Sequence, residues 1–487
     1  MQSLQYLYIY AITTDLIVFT MYKIAVNFII ILILSSCSED VSAFGQTQTL
    51  PAECSKTLPV IFIETENRVP VTSTTRYLSA QFWLDPMEHN EIKPVGSKAQ
   101  PVAIQIKGRG HSSWQGPKKP YKLKLNTKIS LMGMPKNKHW ALLKPSENTV
   151  AGLQLGKIMG MAWTPDFRPV EVILNGDYIG LYFLTETIRI DKNRVNIYEQ
   201  PDNETNPDLI TGGWLVEIDN YRDECQISIP ENNNWNLTIR YHSPENLSSI
   251  QLQWLIEEFK KINSAIYSSD KTSTTWEKYI DVESIARYFI IQEIMDNPDG
   301  FHGSFYLHKD LAENSKWIAG PIWDLVCYNR EKTDYTFKMK VHYSFTPHWI
   351  GEIIQYDNFC KAVNDIWNNV YPEKISEIYH SIDISIMALD SAWRHDAKRW
   401  NEDSIQTAEF RADRIKSAIR RNINWFNNHL PGSPHSSLSS LTQSHNNSTK
   451  VYNLQGHLVG EFENENAAVS HLEKGLYIIN KTKVIIQ

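Results

Sequence analysis

The sequence predicts an α+β fold with a β-rich N-terminal half, a helical C-terminal half and a small β appendage at the end of the chain. Three observations carry this prediction. Residues 58–186 contain short runs in which apolar and polar side chains alternate, the period of a strand with one buried face. Residues 281–295 and 350–430 instead repeat apolar side chains at helical spacing. A Ser- and Asn-rich stretch then separates a last pair of strand-like runs from everything before it.

Composition sets outer limits on function. The chain has 487 residues, 42% hydrophobic and 21% charged, with 48 basic against 55 acidic side chains and a net charge of −7. These proportions exclude a fibrous or wholly disordered protein. The missing basic excess argues against a nucleic-acid partner, whose phosphates demand one.

At the N-terminus, Lys23 precedes an apolar run at 24–34 that is too short to span a hydrocarbon core of about 30 Å but suits an export signal. The following Leu34-Ser35-Ser36-Cys37 resembles the lipobox of bacterial lipoproteins, whose cysteine is acylated and becomes the mature N-terminus. The resemblance implies a signal segment over 1–37, read from a start at Met21, with cleavage before Cys37 and lipidation of that cysteine. Ser38-Glu39-Asp40 looks like the surface-export signal of Bacteroidetes lipoproteins. Together they point to the cell envelope, anchored at the outer membrane or cell surface, with the periplasm as the alternative. The competing reading is one membrane span over 6–34, which must bury Asp15 and Lys23 at roughly 3 kcal/mol each. Residues 38–57 read as a polar tether. The other cysteines, Cys54, Cys225, Cys327 and Cys360, form no CxxC pair, which argues against a sulfur metal site and leaves any disulfide pairing open.

From residue 58 each element has its own signal. Strands are predicted at 58–63, 102–107 and 121–125, and a Gly- and Ser-bearing loop at 108–114 lies between the last two. Val170, Val172 and Leu174 alternate before Asn175-Gly176-Asp177, and Ile179, Leu181 and Phe183 alternate after it, which predicts a hairpin over 170–186. A helix is predicted at 147–161 and another at 281–295, the latter stopped by Asn297-Pro298. Runs at 305–309 and 316–320 predict a second hairpin that closes on Trp323-Asp324. Along the helical stretch, Phe410, Ile415, Ile419, Ile423 and Phe426 are the expected apolar face, and the intervening Arg and Lys a solvated one. Residues 431–449 read as a linker and 450–487 as a small β module like those on secreted Bacteroidetes proteins.

The middle of the chain also holds the parts of a phosphoryl-transfer site. That chemistry needs cations and backbone amides around phosphates, one Asp to hold Mg²⁺ and another to orient or deprotonate the acceptor hydroxyl. The 108–113 loop, Lys122, Lys124, Asp299 and Asp324 meet that need. Each has a plainer reading beside it: a tight turn for the glycines, a solvated strand face for the lysines, turn caps for the aspartates. His302 and His308 flank the Asp299 loop without spaced partner ligands, so they read as polar supports rather than zinc ligands.

Several blocks, in order, carry a resemblance. They are Gly108-Arg109-Gly110 through Ser112-Ser113-Trp114, Lys119-Pro120-Tyr121-Lys122-Leu123, Val170-Glu171-Val172 through Tyr178-Ile179-Gly180, the run from Gly212 to Asp219, Asn297 with Asp299, Tyr306 with Lys309, and Gly320-Pro321-Ile322-Trp323-Asp324. Over 58–430 the sequence resembles the CotH kinase family, the spore-coat-protein-H-like atypical protein kinases. The resemblance implies a divergent protein-kinase-like, two-lobed fold with a β-rich N-terminal lobe and a helical C-terminal lobe. It implies a secreted enzyme that uses ATP with Mg²⁺ or Mn²⁺ to phosphorylate Ser or Thr of exported proteins. By the same carry-over Asp299 is the catalytic aspartate and Asp324 the metal-holding one, while Arg109, Lys119, Lys122 and Lys124 lie over the phosphates and Glu186 near the adenine.

The sequence departs from the family pattern at three places. His111 stands where the GRGNS block has Asn, Glu147-Asn148-Thr149-Val150-Ala151-Gly152 replaces the usual Asp and Arg-Asn residues, and Val326 removes the second acid of WDxD. One carboxylate with waters still suffices for Mg²⁺, at lower affinity. The alternative these departures leave open is a catalytically inactive surface lipoprotein of the same fold, acting as adhesin or scaffold. A glycan-handling surface protein is a third class, which would need paired carboxylates about 5–10 Å apart.

Overall fold

The computed structural model of the protein describes residues 54–487, apart from 220–224, 231–235, 339–348, 372, 403–404, 433–448 and, in the last segment, 454–457, 463–466, 468–471, 473–474, 480–481 and 487. Cys37 and the signal and tether assignments before residue 54 lie outside the described residues.

Alternation in the N-terminal half folds into a closed barrel. Its strands are β1 (Val60–Thr65), β2 (Leu78–Asp85), β3 (Val102–Gly108), β4 (Tyr121–Ile129), β5 (Asn137–Leu143), β6 (Phe167–Leu174) and β7 (Asp177–Glu186). They run in the order β1-β2-β3-β4-β5-β7-β6, antiparallel except where β6 closes on β1 in parallel. Inward-facing Ile61, Phe82, Ile106, Leu123, Trp140 and Tyr182 fill the interior. Between β3 and β4 lies a one-turn helix, α1 (Ser112–Gln115), and between β5 and β6 the helix α2 (Glu147–Ile158), started by the Ser146 hydroxyl accepting from the Asn148 N–H.

A second sheet follows, built from β8 (Trp214–Ile218), β9 (Gln226–Pro230), β10 (Asn236–Ser243), β11 (Phe305–Lys309) and β12 (Ile318–Ala319) in the order β12-β11-β8-β10-β9. Its two faces differ in chemistry. Val216, Ile218, Ile239, Phe305 and Leu307 join the main apolar core. Cross-strand neighbours Glu217, Tyr306 and Arg240 stand on the other face. The helices α3 (Ser249–Ile266) and α4 (Val282–Met295) share that core. α3 begins in a capping box of Ser248 and Gln251, and α4 begins where the Asp281 carboxylate accepts from the Ser284 N–H at 2.8 Å.

The C-terminal half is helical as expected: α5 (Ile350–Ile353), α6 (Asp357–Val370), α7 (Glu373–Met387), α8 (Asp390–Arg399) and α9 (Ala408–Asn427). A four-stranded sheet ends the chain, β13 (Thr449–Asn453), β14 (Leu458–Phe462), β15 (Gly475–Ile479) and β16 (Thr482–Ile486), ordered β14-β13-β15-β16. The architecture is thus mixed α+β, with β-structure concentrated toward the N-terminus and helices toward the C-terminus.

Two expectations need correction. Phe410 does not belong to the apolar face of α9; it is 53% exposed, because Ala408, Ala412, Ile415 and Ile419 face the core and position 410 points roughly opposite to 412. Nor are the cations of α9 simply solvated, since Arg411 and Arg414 both reach the buried Glu147 at the start of α2. The spacing predicts no element between 190 and 280, yet β8, β9, β10 and α3 lie there. Their strands are short, and β8 is buried on both faces, which erases the two-residue period.

Candidate active site

A cavity of about 250 Å³ opens beside the 108–120 loop. Arg109, Ser113 and Pro120 line it from that loop, Leu143 and Lys144 from the end of β5, Ser146, Asn148, Thr149 and Leu153 from α2, Thr185 from β7, and Trp323, Asp324, Leu325 and Val326 from the segment after β12. The loop folds tightly because it can bring backbone against ring: a Cβ on Gly108 would lie 2.4 Å from the Trp114 indole. Its ends are joined where the Arg109 N–H donates to the Pro120 carbonyl at 3.2 Å.

Asp324 is positioned by its buried neighbours. Ile322 is fully buried and Leu325 nearly so, while Asp324 itself takes a left-handed φ of 52° and turns outward at the cavity. The loop can lie this close to α2 because Gly152 and Gly156 present no side chain to Leu325 and Ile322. Upstream, the Gly320 carbonyl is 3.1 Å from His308 Nδ1, so His308 is a buried support for this turn.

Arg109 shares the cavity with Asp324 and feels its charge. Its guanidinium stacks over the Trp323 ring at 5.2 Å. Burial pushes its pKa down, and the charges of Asp324, Tyr306 and Glu217 push it back up. Arg109 therefore joins the cavity to the polar face of the second sheet. There Glu217, 4% exposed, lies 2.7 Å from His242 Nε2 and also hydrogen-bonds the Tyr306 hydroxyl.

The lysines separate by environment. Lys122 lies partly buried on the outer side of β4, and burial, reinforced by Arg189, Lys107 and Arg109, lowers its pKa to about 8. Such a crowd of like charges favours an anion in its midst. Lys124 is exposed. Lys119 is occupied within its own loop, where Nζ donates to the Trp114 carbonyl at 2.6 Å and sits over the Trp114 ring. Glu186 is 2% exposed; one oxygen accepts from the Asp166 N–H at 3.0 Å and the other lies 3.7 Å from Arg194 Nε. Of the residues singled out from the sequence, the cavity gathers Arg109 and Asp324; Lys119, Lys122, Lys124, Glu186 and Asp299 do not line it.

Asp299 sits in the turn after α4, its side chain 44% exposed and 3.4 Å from His302 Nε2. The turn is set by buried charge. At the left-handed end of α4, Asp296 is paired with Arg330 (2.9 Å) and Lys332 (3.1 Å), and Lys332 also meets Glu293 at 2.8 Å. The Thr336 N–H adds two bonds of 3.0 Å to Glu293. The chain that leaves Asp324 thus returns, through Arg330 and Lys332, to the base of the Asp299 turn.

Comparison with known families decides the relationship: the CotH kinase protein family matches residues 104–429. The chain belongs to that family. No curated protein matches the chain.

For the CotH domain, membership implies ATP and a divalent metal in general terms. The donor set fits one kind of metal binding. Among the described residues no three His, Cys, Asp or Glu side chains cluster as a cage, but Mg²⁺ commonly takes one or two carboxylates plus phosphate oxygens and waters. A lone outward Asp324 beside Arg109 suits that mode. Sequence reasoning misses Lys144, Lys118, Glu217 and His242. Lys118 is indistinguishable from Lys119 in a Lys-Lys-Pro run, while Glu217 lies inside the Gly212-to-Asp219 block with no role implied for it. The four described cysteines are free thiols, and among the described residues no helix is long and apolar enough to cross a membrane.

Proposed function

We propose that this protein is an exported kinase that transfers a phosphoryl group from ATP to Ser or Thr of secreted or surface proteins. The observation that carries the reading is the meeting of Arg109, Lys144 and Asp324 in one cavity of a CotH kinase chain. The barrel then serves as the nucleotide-side lobe and the helical half as the acceptor-side lobe.

In this reading Asp324 would hold Mg²⁺ or Mn²⁺, which would supply charge neutralisation at the phosphates. Arg109 and Lys122 neutralise the phosphates, with Lys119 shaping the loop and Lys124 adding charge at its margin. Glu186 and Arg194 hold the end of β7 on the adenine side. Asp299 accepts the proton of the acceptor hydroxyl as its oxygen bonds to the γ-phosphorus and the bond to the ADP oxygen breaks. Export and lipidation at Cys37 place the domain at the cell envelope, supported by the signal and lipobox residues alone.

The test is label transfer from γ-labelled ATP with Mn²⁺ or Mg²⁺, comparing wild type with Asp299→Ala and Asp324→Ala. Transfer by wild type and loss in both variants is expected. Val326 in the cavity wall and the position of Asp299 outside it favour a second reading, an inactive scaffold or adhesin. Absence of ATP binding and of transfer in wild type would select that reading. Labelled palmitate incorporation that disappears in Cys37→Ala tests the anchor.

A further inference from the structure

We infer that Lys118 and Asp396 form a positioning clasp that fixes the 108–120 loop against helix α8 and thereby sets where Arg109 and Ser113 stand over the cavity. The inference rests on the reading of that cavity as the ATP site.

The clasp begins with a gap in the barrel. β5 pairs with β7 only from Phe183 to Glu186, so at Leu181 the β7 edge that faces away from β6 has no strand beside it. Two buried side chains fill that place. Lys118 Nζ donates to the Leu181 carbonyl at 2.6 Å, and the Leu181 N–H donates to Asp396 Oδ1 at 2.9 Å. Lys118 and Asp396 are ion-paired with each other, with side chains 10% and 6% exposed. An unpaired peptide group is thereby satisfied by two residues 278 positions apart in sequence.

The backbone is shaped to admit this pair. Gly180 has φ +96°, and a Cβ there would lie 1.9 Å from Asp396 Oδ1. The rest of α8 grips the same strand through its backbone: Arg399 Nε donates to the Tyr178 carbonyl at 2.6 Å, and Trp400 Nε1, just after the helix, donates to the Ile179 carbonyl at 3.2 Å.

On the other side, Lys118 is the root of the loop. The next carbonyl, of Lys119, accepts from the Tyr182 hydroxyl at 2.9 Å, and the one after it, of Pro120, accepts from the Arg109 N–H. Lys118 also stands 4.7 Å from the centre of the Tyr182 ring. A shift of Lys118 therefore moves the carbonyl that holds Arg109. A buried ion pair contributes little net stability compared with an apolar pair of the same shape, but its bonds are directional. Geometry at the loop is the property it controls.

The experiment uses the full chain, with Asp396→Asn and Lys118→Met each alone and together. The amide introduced by Asp396→Asn keeps an acceptor for the Leu181 N–H while losing the charge, so this variant separates positioning from folding. Hydrogen exchange of peptides covering 108–120 should quicken in the folded variant while peptides from 60–85 stay unchanged. KM for ATP should rise about tenfold with kcat changed far less, and the double variant should be no worse than the worse single one. The exposed pair Lys361–Asp365 on α6 supplies the control, Lys361→Ala, with no expected change. Unchanged loop exchange in folded Asp396→Asn overturns the clasp, as does an unchanged KM. If Asp396→Asn fails to fold, the same measurements on Asp396→Glu, which keeps the charge but displaces it, decide the question by the same criteria. A wild type that neither binds nor turns over ATP defeats the kinase reading instead, and the exchange data still judge the clasp.

Discussion

Replacing Gly152 by alanine tests whether α2 determines where Asp324 stands. A Cβ at Gly152 would lie 2.2 Å from Leu325 Cδ1, 2.8 Å from its Cγ and 2.9 Å from its Cβ, where ordinary contact begins at 3.4 Å. Rotating Leu325 relieves the first overlap but not the third, so the backbone beside Asp324 must move. Ala is favoured over Gly in a helix by about 1 kcal/mol, whereas forcing extra volume into a packed site costs about 1–3 kcal/mol. The net expectation is a stability loss between zero and about 2 kcal/mol. If Asp324 holds the metal as proposed, function should suffer more, since displacing a reacting-site group by about 1 Å can cost on the order of 100-fold in rate. Urea denaturation gives the first quantity, and Mn²⁺-dependent label transfer at saturating ATP the second. Adding Leu325→Ala to Gly152→Ala should recover part of the activity, limited by the Cβ that remains. A Gly152→Ala protein as active as wild type, and more stable by the helix-propensity term, would refute the idea that this close approach positions the aspartate.

Three further outcomes follow from buried charge. Lys332→Met leaves Glu293 in the interior without its cation and Asp296 with Arg330 alone, and should lower stability by about 3–5 kcal/mol, read as a fall in the urea midpoint; an unchanged midpoint contradicts the assigned network. His139 has its pKa pushed down to about 3, first by burial and then by Arg189 and Lys122, so the folded protein resists protonation that the unfolded chain accepts near 6.5. The stability it contributes is present above 6.5 and is lost as pH falls from there toward 3; His139→Asn should flatten that part of the stability profile, and an identical acid slope would exclude His139 as the cause. Glu147→Gln weakens the contacts with Arg411 and Arg414 and should lower stability by about 1–2 kcal/mol without raising KM for ATP, because the carboxylate is not part of the cavity wall; a raised KM would contradict that placement.

Much of the secondary structure is legible in the sequence because it rests on local signals. The 170–186 hairpin is announced by Asn175-Gly176 between alternating runs, and helical spacing with the Asn297-Pro298 stop, read as 281–295, places α4 to within a residue. Where the local signal weakens, the reading fails. β8 is buried along its whole length and carries no alternation, and α3 goes unpredicted although Ser248 and Gln251 form a capping box at its start. Side-chain roles are less legible still. Lys118 and Lys119 are neighbours of identical chemistry, yet one is buried in an ion pair and the other folds back on its own loop. Glu147 marks a departure from the family pattern, and the structure shows it paired with helix α9 instead of facing the cavity.

By itself the sequence determined the α+β class, the order of most elements, the family and two of the cavity's charged residues, Arg109 and Asp324. These depend on period, turn chemistry and ordered motifs, all of which act over a few residues. Only the tertiary structure decided that the strands close into a barrel, that Asp299 stands outside the cavity wall while its turn is pinned by Arg330 and Lys332, and that Asp396 completes the edge of β7. Such outcomes depend on which buried charges and unpaired peptide groups meet across tens to hundreds of residues, where the cost of leaving a partner unmatched selects the arrangement.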